Sequence, residues 1–512
     1  MEELKPCAAN SPPLTPLSFL ERAAAVYGDC TSIVYGTNTV YTWRETNLRC
    51  LRVASSLSSI GIGKSDVVSV LSPNTPAMYE LQFAVPMSGA ILNNINTRLD
   101  ARTLLFVDDV SSRELAVEAI ATMTAPPILV FIADKEEERG ADVAGHANKF
   151  SYTYDELIER GDPGFKWIRP GSEWDPVVLN YTSGTTSAPK GVVHCHRGLF
   201  VMSLDSLIDW TVPKNPVYLW TLPIFHANGW TFPWGIAAVG GTNVCLRKFD
   251  APLIYRLIRD HGVTHMCGAP VVLNMLSASQ EYSQPLDHTV NVLTAGAPPH
   301  VAVLLRAESV GFNISHGYGL TETGGLNVTC AWKPQWNRSE NRGFTEIDAV
   351  DPGTGLSVER NGENVGEIVM RGSSIMLGYL KDPVGTESVL KSGWFFKGDV
   401  GVIHSDGYLE IKNVSSVEVE AVMYTNPVVG EVAVVARPDE FWGETPCAFV
   451  SLKPGLGMKP TEKEMIEYCR KRMPRFMVPK TVSFRNELPK TSTGKVMKFV
   501  LRRLLRRWVR RA

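Results

Sequence analysis

Between Tyr181 and Gly191 the chain strings together Thr182, Ser183, Gly184, Thr185, Thr186, Ser187, Ala188, Pro189 and Lys190. This composition suits a polyphosphate. Small residues let backbone N–H groups come close to phosphate oxygens, the hydroxyls add donors, and Lys190 brings a positive charge. The spacing is not that of the P-loop, G-x-x-x-x-G-K-[ST]. An apolar run, Val177 to Leu179, precedes the loop and reads as the strand that delivers it. A solvated polar loop would have much the same composition, so the reading depends on what else the chain carries. Nearby, His194-Cys195-His196 has metal-binding residue types. No fourth ligand is close in sequence, and a surface segment passing from strand to helix is the expectation there.

Five further segments follow in order. They are Leu222-Pro223-Ile224-Phe225-His226-Ala227-Asn228-Gly229-Trp230, Thr294-Ala295-Gly296-Ala297-Pro298-Pro299, His316-Gly317-Tyr318-Gly319-Leu320-Thr321-Glu322-Thr323, Gly393-Trp394-Phe395-Phe396-Lys397-Gly398-Asp399 and Leu488-Pro489-Lys490-Thr491-Ser492-Thr493-Gly494-Lys495. With the hydroxyl-rich loop, they resemble the signatures of the acyl-adenylate-forming (ANL) superfamily. That group holds acyl-CoA synthetases, luciferases and peptide-synthetase adenylation domains. The resemblance covers nearly the whole chain. It is strongest to plant-type acyl-activating enzymes, the branch of ligases for short-chain, medium-chain and aromatic acids.

The resemblance implies roles for individual residues. Thr182, Ser183, Gly184, Thr185, Thr186 and Lys190 would hold the phosphates of ATP. Phe225, His226, Trp230 and Trp234 would line the acyl pocket, with His226 where the carboxylate meets ATP; the tryptophans are explained equally well as core. Ala295, Gly296, Ala297 and Pro298 would border adenine and the acyl group, leaving room by being small. His316, Gly317, Tyr318 and Gly319 would also face the nucleotide, Tyr318 offering a π face to adenine. Thr321 would offer its hydroxyl to the α-phosphate. Glu322 would be a ligand of Mg²⁺, which binds through one or two carboxylates plus phosphates. Asp399 would accept the ribose hydroxyls. Lys495 is the expected catalytic lysine, stabilising charge that builds between carboxylate and α-phosphate. The implied reaction converts a fatty or aromatic acid, ATP and CoA to acyl-CoA, AMP and diphosphate. A carrier-protein thiol or a luciferase-type oxidative step is the alternative fate of the adenylate, and no attached carrier domain speaks for it.

The elements that must position these residues have an α/β rhythm. Thr15-Pro16 suits a helix start, and Thr42-Trp43-Arg44-Glu45 reads as a capping box. Apolar strands such as Val67 to Leu71, Val217 to Leu222, Gly241 to Leu246, Val263 to Cys267 and Val292 to Ala295 alternate with helices such as Met78 to Met87 and Pro252 to His261. That alternation predicts layered, mostly parallel sheets covered on both faces. Beyond about residue 340, strands Gly366 to Arg371 and Gly407 to Lys412 predict a β-rich subdomain. A small α+β unit follows, with a helix at Ser415 to Tyr424, strands at Val432 to Ala436 and Cys447 to Leu452, and a helix at Thr461 to Arg472. The expected division is an AMP-binding domain over 1–412 and a small C-terminal domain over 413–512.

Composition narrows the class. A length of 512 residues, 44% hydrophobic and 20% charged, predicts a multidomain globular protein with a large core. A net charge of −2 gives no support for a nucleic-acid partner. Nine cysteines, none in C-x-x-C, predict reduced thiols. No window reaches the length of a membrane span. Leu501, Leu504, Leu505, Trp508 and Val509 share one helical face near the C-terminus, with arginines opposite. Packing on its own domain is the preferred reading for this helix, and weak membrane contact the alternative. The cytoplasm is the expected compartment. The peroxisome, home of related plant enzymes, is the alternative, though no SKL-like end is present. Oligomeric state is not legible.

The chain departs from the family pattern at three places. Ile411-Lys412 runs straight into Asn413-Val414-Ser415-Ser416. The family has roughly a dozen more residues there, up to ~40 Å of extended chain. They supply an arginine for ribose and phosphate, the interdomain hinge and a glycine loop for thioester formation. Shortfalls also stand near Ala101 to Asp108 and before Gly343. A splice variant or an incorrect gene reading would produce such clean losses, and a catalytically impaired nucleotide binder is the second functional expectation.

Overall fold

The computed structural model describes residues 7, 9–95, 104–108, 116–118, 127–133, 151–182, 190–277, 279, 285–296, 301–331, 339–342, 345–351, 353–411, 416–439, 443–453, 459–473, 478–490 and 496–509. The chain forms two compact units. The first comprises Met1–Glu359, Glu367–Gly398 and Ile403–Leu409, and the second Arg360–Gly366, Asp399–Val402 and Glu410–Ala512.

Two large sheets build the first unit, as the α/β rhythm predicts. An eight-stranded sheet runs in the order Gly378–Tyr379, Lys190–Cys195, Pro176–Thr182, Ile91–Asn94, Val67–Leu71, Leu104–Asp108, Ile128–Ile132, Tyr152–Thr153. A nine-stranded sheet runs Ser339–Arg342, Gly325–Ala331, Phe312–Leu320, Val290–Thr294, His265–Gly268, Val217–Leu219, Thr242–Cys245, Thr31–Tyr35, Thr39–Thr42. The central pairs are parallel, and Val68 and Val70 have no exposed surface. Strands covered on both faces read as near-continuous apolar runs for this reason. Glu346–Val350 pairs antiparallel with Gly366–Arg371 and begins the expected β-rich region.

Helix starts follow local chemistry. Thr42 and Glu45 satisfy each other's backbone N–H groups in a capping box ahead of Trp43–Ser59. Thr75 caps Pro76–Met87, which carries proline in its first turn. All twelve residues of that helix are buried, so it is enclosed by the core rather than lying on it. Its Glu80 is fully buried yet ionically paired: Arg49 Nε lies 2.5 Å away, and the Tyr154 hydroxyl donates to it at 2.6 Å.

Five strands carry the candidate site: β1 (Pro176–Thr182), β2 (Lys190–Cys195), β3 (Val290–Thr294), β4 (Phe312–Leu320) and β5 (Gly378–Tyr379). The strand expected over Val217 to Leu222 stops at Leu219. The Asn74 amide takes the carbonyls of Trp220 and Leu222 at 2.8 and 3.0 Å, so a side chain replaces the neighbouring strand there.

The second unit has a three-stranded sheet, Val429–Asp439, Gly443–Leu452, Thr481–Arg485. Its two-residue alternation sorts the core. Val432, Val434, Ala448 and Val450 face the helices Ser416–Tyr424 and Glu462–Arg470. Ala433, Val435, Cys447 and Phe449 pack with Leu501 and Leu505 of helix Lys498–Val509. The basic C-terminal helix thus packs Leu501, Leu504 and Leu505 on this unit's own sheet. Among the described residues, no helix is long and apolar enough to cross a membrane.

Candidate functional site

β1 and β2 form an antiparallel hairpin in which Thr182 pairs with Lys190. The hydroxyl-rich loop is therefore the hairpin's connection. Thr182 and Lys190 stand half-buried at its base. Ser183, Gly184, Thr185 and Thr186 lie outside the described residues, as do Ala297, Pro298 and Lys495. β5 adds to the other edge of β2, with Tyr379 opposite Val192 and Gly378 opposite Val193. This edge strand brings two further groups to the lysine. The Lys190 ammonium lies 4.4 Å from the centre of the Tyr379 ring and 3.5 Å from an Asp382 carboxylate oxygen.

The turn after β4 reaches the same place. Thr321–Thr323 is a single 3₁₀ turn, and Glu322 within it is only 2% exposed. The Tyr379 hydroxyl donates to Glu322 Oε1 at 2.9 Å, and the Met376 N–H donates to the Glu322 carbonyl at 2.9 Å. From β2, His194 Nε2 lies 2.7 Å from the Thr321 carbonyl oxygen. A carbonyl only accepts, so Nε2 carries the proton. The bare Nδ1 is buried and has no hydrogen-bond partner. Burial pushes the His194 pKa down, against the opposing effects of the Thr321 bond and the Glu322 charge. The expectation of a surface His194-Cys195-His196 segment is corrected here. It does pass from strand to helix, but His194 and His196 are 1% and 6% exposed. His196 bonds Thr15 at 2.9 Å, and Cys195 caps the next helix. No group of metal-ligating side chains exists among the described residues.

His316, Gly317, Tyr318 and Gly319 lie half-buried on β4. Gly319 has a steric reason: a Cβ there would stand 2.0 Å from the Gly325 carbonyl oxygen of the partner strand. β3 lies parallel beside β4, pairing Thr294 with His316. Ala295 is buried just beyond it. Gly296 then turns with a φ of +85°, and a Cβ there would meet nothing within 4 Å.

The aromatic-histidine segment has an unusual backbone. Ala227, Asn228, Gly229, Trp230 and Thr231 all have positive φ, between 41° and 70°. Left-handed geometry costs roughly 1–2 kcal/mol for each non-glycine residue. Buried amides oppose that cost. Asn180 donates to Asn228 at 2.5 Å, and Asn228 donates to Gln82 at 2.9 Å. Asn74 also accepts the Ile224 N–H at 2.8 Å. This frame leaves Phe225 half-buried and His226 exposed. Trp230 is 5% exposed. Trp234 has no exposed surface and its indole N–H reaches the Gln82 carbonyl, which makes it core rather than pocket lining.

The structure therefore brings Thr182, Lys190, Thr321 and Glu322 to one corner of the first unit. Asp399 belongs to the second unit, outside the 1–412 division expected of it. Sequence reasoning missed Tyr379, Asp382 and His194. Lys190 and His194 are four apart on one strand and so share a face, a signal that was available. Tyr379 and Glu322 are 57 residues apart, and no local pattern connects them.

Residues 20–380 match the AMP-binding enzyme family, and residues 418–495 match the AMP-binding enzyme C-terminal domain. The probable acyl-activating enzyme 5, peroxisomal, of Arabidopsis thaliana is 79% identical, over 99% of this chain and 98% of its own. A 2-methylpropanoate–CoA ligase of Humulus lupulus is 61% identical, over 99% and 98%. Among solved structures, an anthranilate CoA ligase in complex with anthranoyl-AMP superposes with a TM-score of 0.79 at 22% identity, over 98% of this chain and 99% of that one. ATP-bound MatB from Rhodopseudomonas palustris gives 0.78 at 23%, over 95% and 98%. The alignment to the Arabidopsis relative spans 546 positions against 512 residues here, so at least 34 of its positions face no residue of this chain. The chain belongs to the AMP-binding enzyme family, in its line of acyl-adenylate-forming acid–CoA ligases.

Proposed function

We propose that this member of the AMP-binding enzyme family activates a short-chain aliphatic acid with MgATP and passes the acyl group to CoA. The observation that carries the nucleotide reading is the corner formed by Lys190, Thr321 and Glu322. A lysine at the base of a hydroxyl-rich hairpin meets a threonine and a buried carboxylate that a single turn, from a separate segment, brings to it. The acid class is supported by the 61% identical relative named for 2-methylpropanoate. Peroxisomal residence is supported by the 79% identical relative, a probable peroxisomal acyl-activating enzyme.

The donor set fits a magnesium ion carried in by the nucleotide. One buried carboxylate, Glu322, stands without a surrounding cluster of ligating side chains among the described residues. That suits Mg²⁺, which takes one or two protein carboxylates and fills its remaining positions with phosphate and water. When bound, the ion would neutralise phosphate charge. The chain's own residues do the rest. Lys190 and the loop N–H groups hold the phosphates, Thr321 offers its hydroxyl to the α-phosphate, and His226 meets the incoming carboxylate. The acid oxygen bonds to the α-phosphorus as the bond to diphosphate breaks, with Lys495 stabilising the developing charge. The CoA thiolate then bonds to the acyl carbon, and AMP leaves.

A second reading concerns rate and rests on the missing positions. Residues 412–415 are all that stand between Ile411 and Ser416, at most ~18 Å of extended chain. We assign part of the internal shortfall to this connection. The family's second unit presents two faces in turn to one site, by rotation about a hinge. A shortened connection without the glycine loop leaves ATP binding in place and makes thioester formation slow. AMP release from ATP and 2-methylpropanoate, measured with and without CoA, tests both readings. Acid-dependent AMP release supports adenylation, and acyl-CoA at a much lower rate supports the shortened connection. Failure to bind MgATP, by titration calorimetry of the folded chain at millimolar ATP, would falsify the nucleotide reading.

A further inference from the structure

We propose that Tyr379 is a positioning residue of the nucleotide site: its hydroxyl sets the Glu322 carboxylate and its ring seats the Lys190 ammonium. The inference rests on the nucleotide reading above and extends it to a residue outside the sequence signatures.

The geometry is specific. Tyr379 lies on the two-residue edge strand β5, paired with β2 two residues beyond Lys190. Its phenol donates at 2.9 Å to Glu322 Oε1, and its ring centre lies 4.4 Å from Lys190 Nζ. One side chain thus touches both the candidate magnesium ligand and the candidate phosphate cation, which come from segments more than a hundred residues apart. The backbone on either side is anchored, since the Leu377 N–H bonds the Val193 carbonyl at 2.8 Å and the Leu380 N–H bonds the Gly191 carbonyl at 2.7 Å. The Thr386 hydroxyl also takes the Tyr379 N–H at 2.9 Å. The ring has little freedom to leave.

The chemistry matches the task. Burial and the neighbouring Glu322 charge hold the phenol pKa well above its ordinary value, so the O–H stays a donor at working pH. A phenol on one carboxylate oxygen fixes the carboxylate's plane. Outer partners of this kind tune metal affinity by about 10- to 100-fold. The ring face attracts an ammonium without consuming its N–H donors. Lys190, which also lies 3.5 Å from an Asp382 carboxylate oxygen, is therefore seated by a ring that takes none of its protons.

The test separates the two functions of the side chain and uses binding rather than turnover. ATP affinity of the full chain is measured across a magnesium series and without magnesium, beside the melting temperature. In Tyr379→Phe the ring remains and the hydroxyl is lost. The magnesium concentration for half-maximal ATP binding should rise about tenfold, with magnesium-free ATP affinity unchanged. In Tyr379→Leu both functions go, and magnesium-free affinity should fall as well. A purely structural tyrosine would lower the melting temperature and leave the magnesium dependence where it was, which overturns the proposal. If the unaltered chain binds no MgATP, the nucleotide reading itself fails and takes the proposal with it.

Discussion

Each unit of this protein brings a half-buried lysine, a glutamate and a hydroxyl together, and the two groupings differ in how the lysine is held. In the second unit, Lys498 Nζ lies 2.6 Å from Glu420 and donates to the Ser416 hydroxyl at 2.7 Å, while the Val434 N–H bonds the same Glu420 oxygen at 2.6 Å. In the first unit, Lys190 sits over an aromatic ring, and Glu322 receives the hydroxyl of that ring's residue. The first arrangement is closed, with charge and protons consumed inside the protein. The second keeps a cation and a carboxylate close together with an aromatic spacer between them. Lys498 is held by a close ion pair at 2.6 Å, whereas Lys190 has the longer 3.5 Å contact to Asp382 beside the ring, a looser hold from which it can turn to a phosphate.

Substituting the two glutamates should break this comparison most sharply. Glu322→Gln is expected to weaken MgATP binding by roughly 100-fold, the scale of losing one preorganised electrostatic contact. Glu420→Gln should leave nucleotide affinity unchanged. Titration calorimetry of both variants decides the matter, and equal losses would erase the distinction. In stability the ranking reverses. Leu501→Ala, in the core of the second unit, should cost about 2–5 kcal/mol by leaving a cavity. Lys498→Met should cost ~2 kcal/mol, because Glu420 remains buried without its cation. Urea unfolding followed by circular dichroism measures both, and ATP affinity should not move in either.

The smallest expected effect is in acid. All ten histidines fall outside the Glu410–Ala512 segment that makes up most of the second unit. Burial lowers the pKa of His196 to about 4, against the pull of Asp175, and lowers His265 to about 4. His194 is lowered by burial as well. The unfolded chain binds protons at these sites near pH 6.5, before the folded chain does. The first unit should therefore lose stability as pH falls from about 6.5 towards 4, by at most ~1.4 kcal/mol per pH unit for each group. Buried Trp43, Trp220 and Trp234 report that unit's unfolding by fluorescence. His196→Gln should flatten the slope, and an unchanged slope would show that His196 contributes none of it.

These contrasts also explain what was legible in the sequence. Val67–Leu71 and Gly366–Arg371 were read to the residue, because apolar runs and turn residues are local signals. The Thr42–Glu45 capping box was likewise readable. The hairpin loop and the Thr321–Glu322 turn were recognisable as motifs, each within a dozen residues. The failures share a cause. Polar types led His194 and His196 to be placed at the surface, yet a strand edge and a helix start gave them buried partners from distant segments. Asn74 ended a strand 146 residues away. Tyr379 joined its site through sheet pairing that no local window contains.

The central claim is that the nucleotide corner is whole and that the connection after Ile411 limits thioester formation. The direct test compares this chain with a version carrying the relatives' extra segment between Lys412 and Asn413. MgATP affinity should agree within about twofold, since no residue of the corner is changed. Acyl-CoA formation from 2-methylpropanoate should be roughly 100-fold faster in the extended version, the scale expected when a misplaced catalytic element regains its position. Equal rates in the two proteins would show that the segment is dispensable and contradict the account.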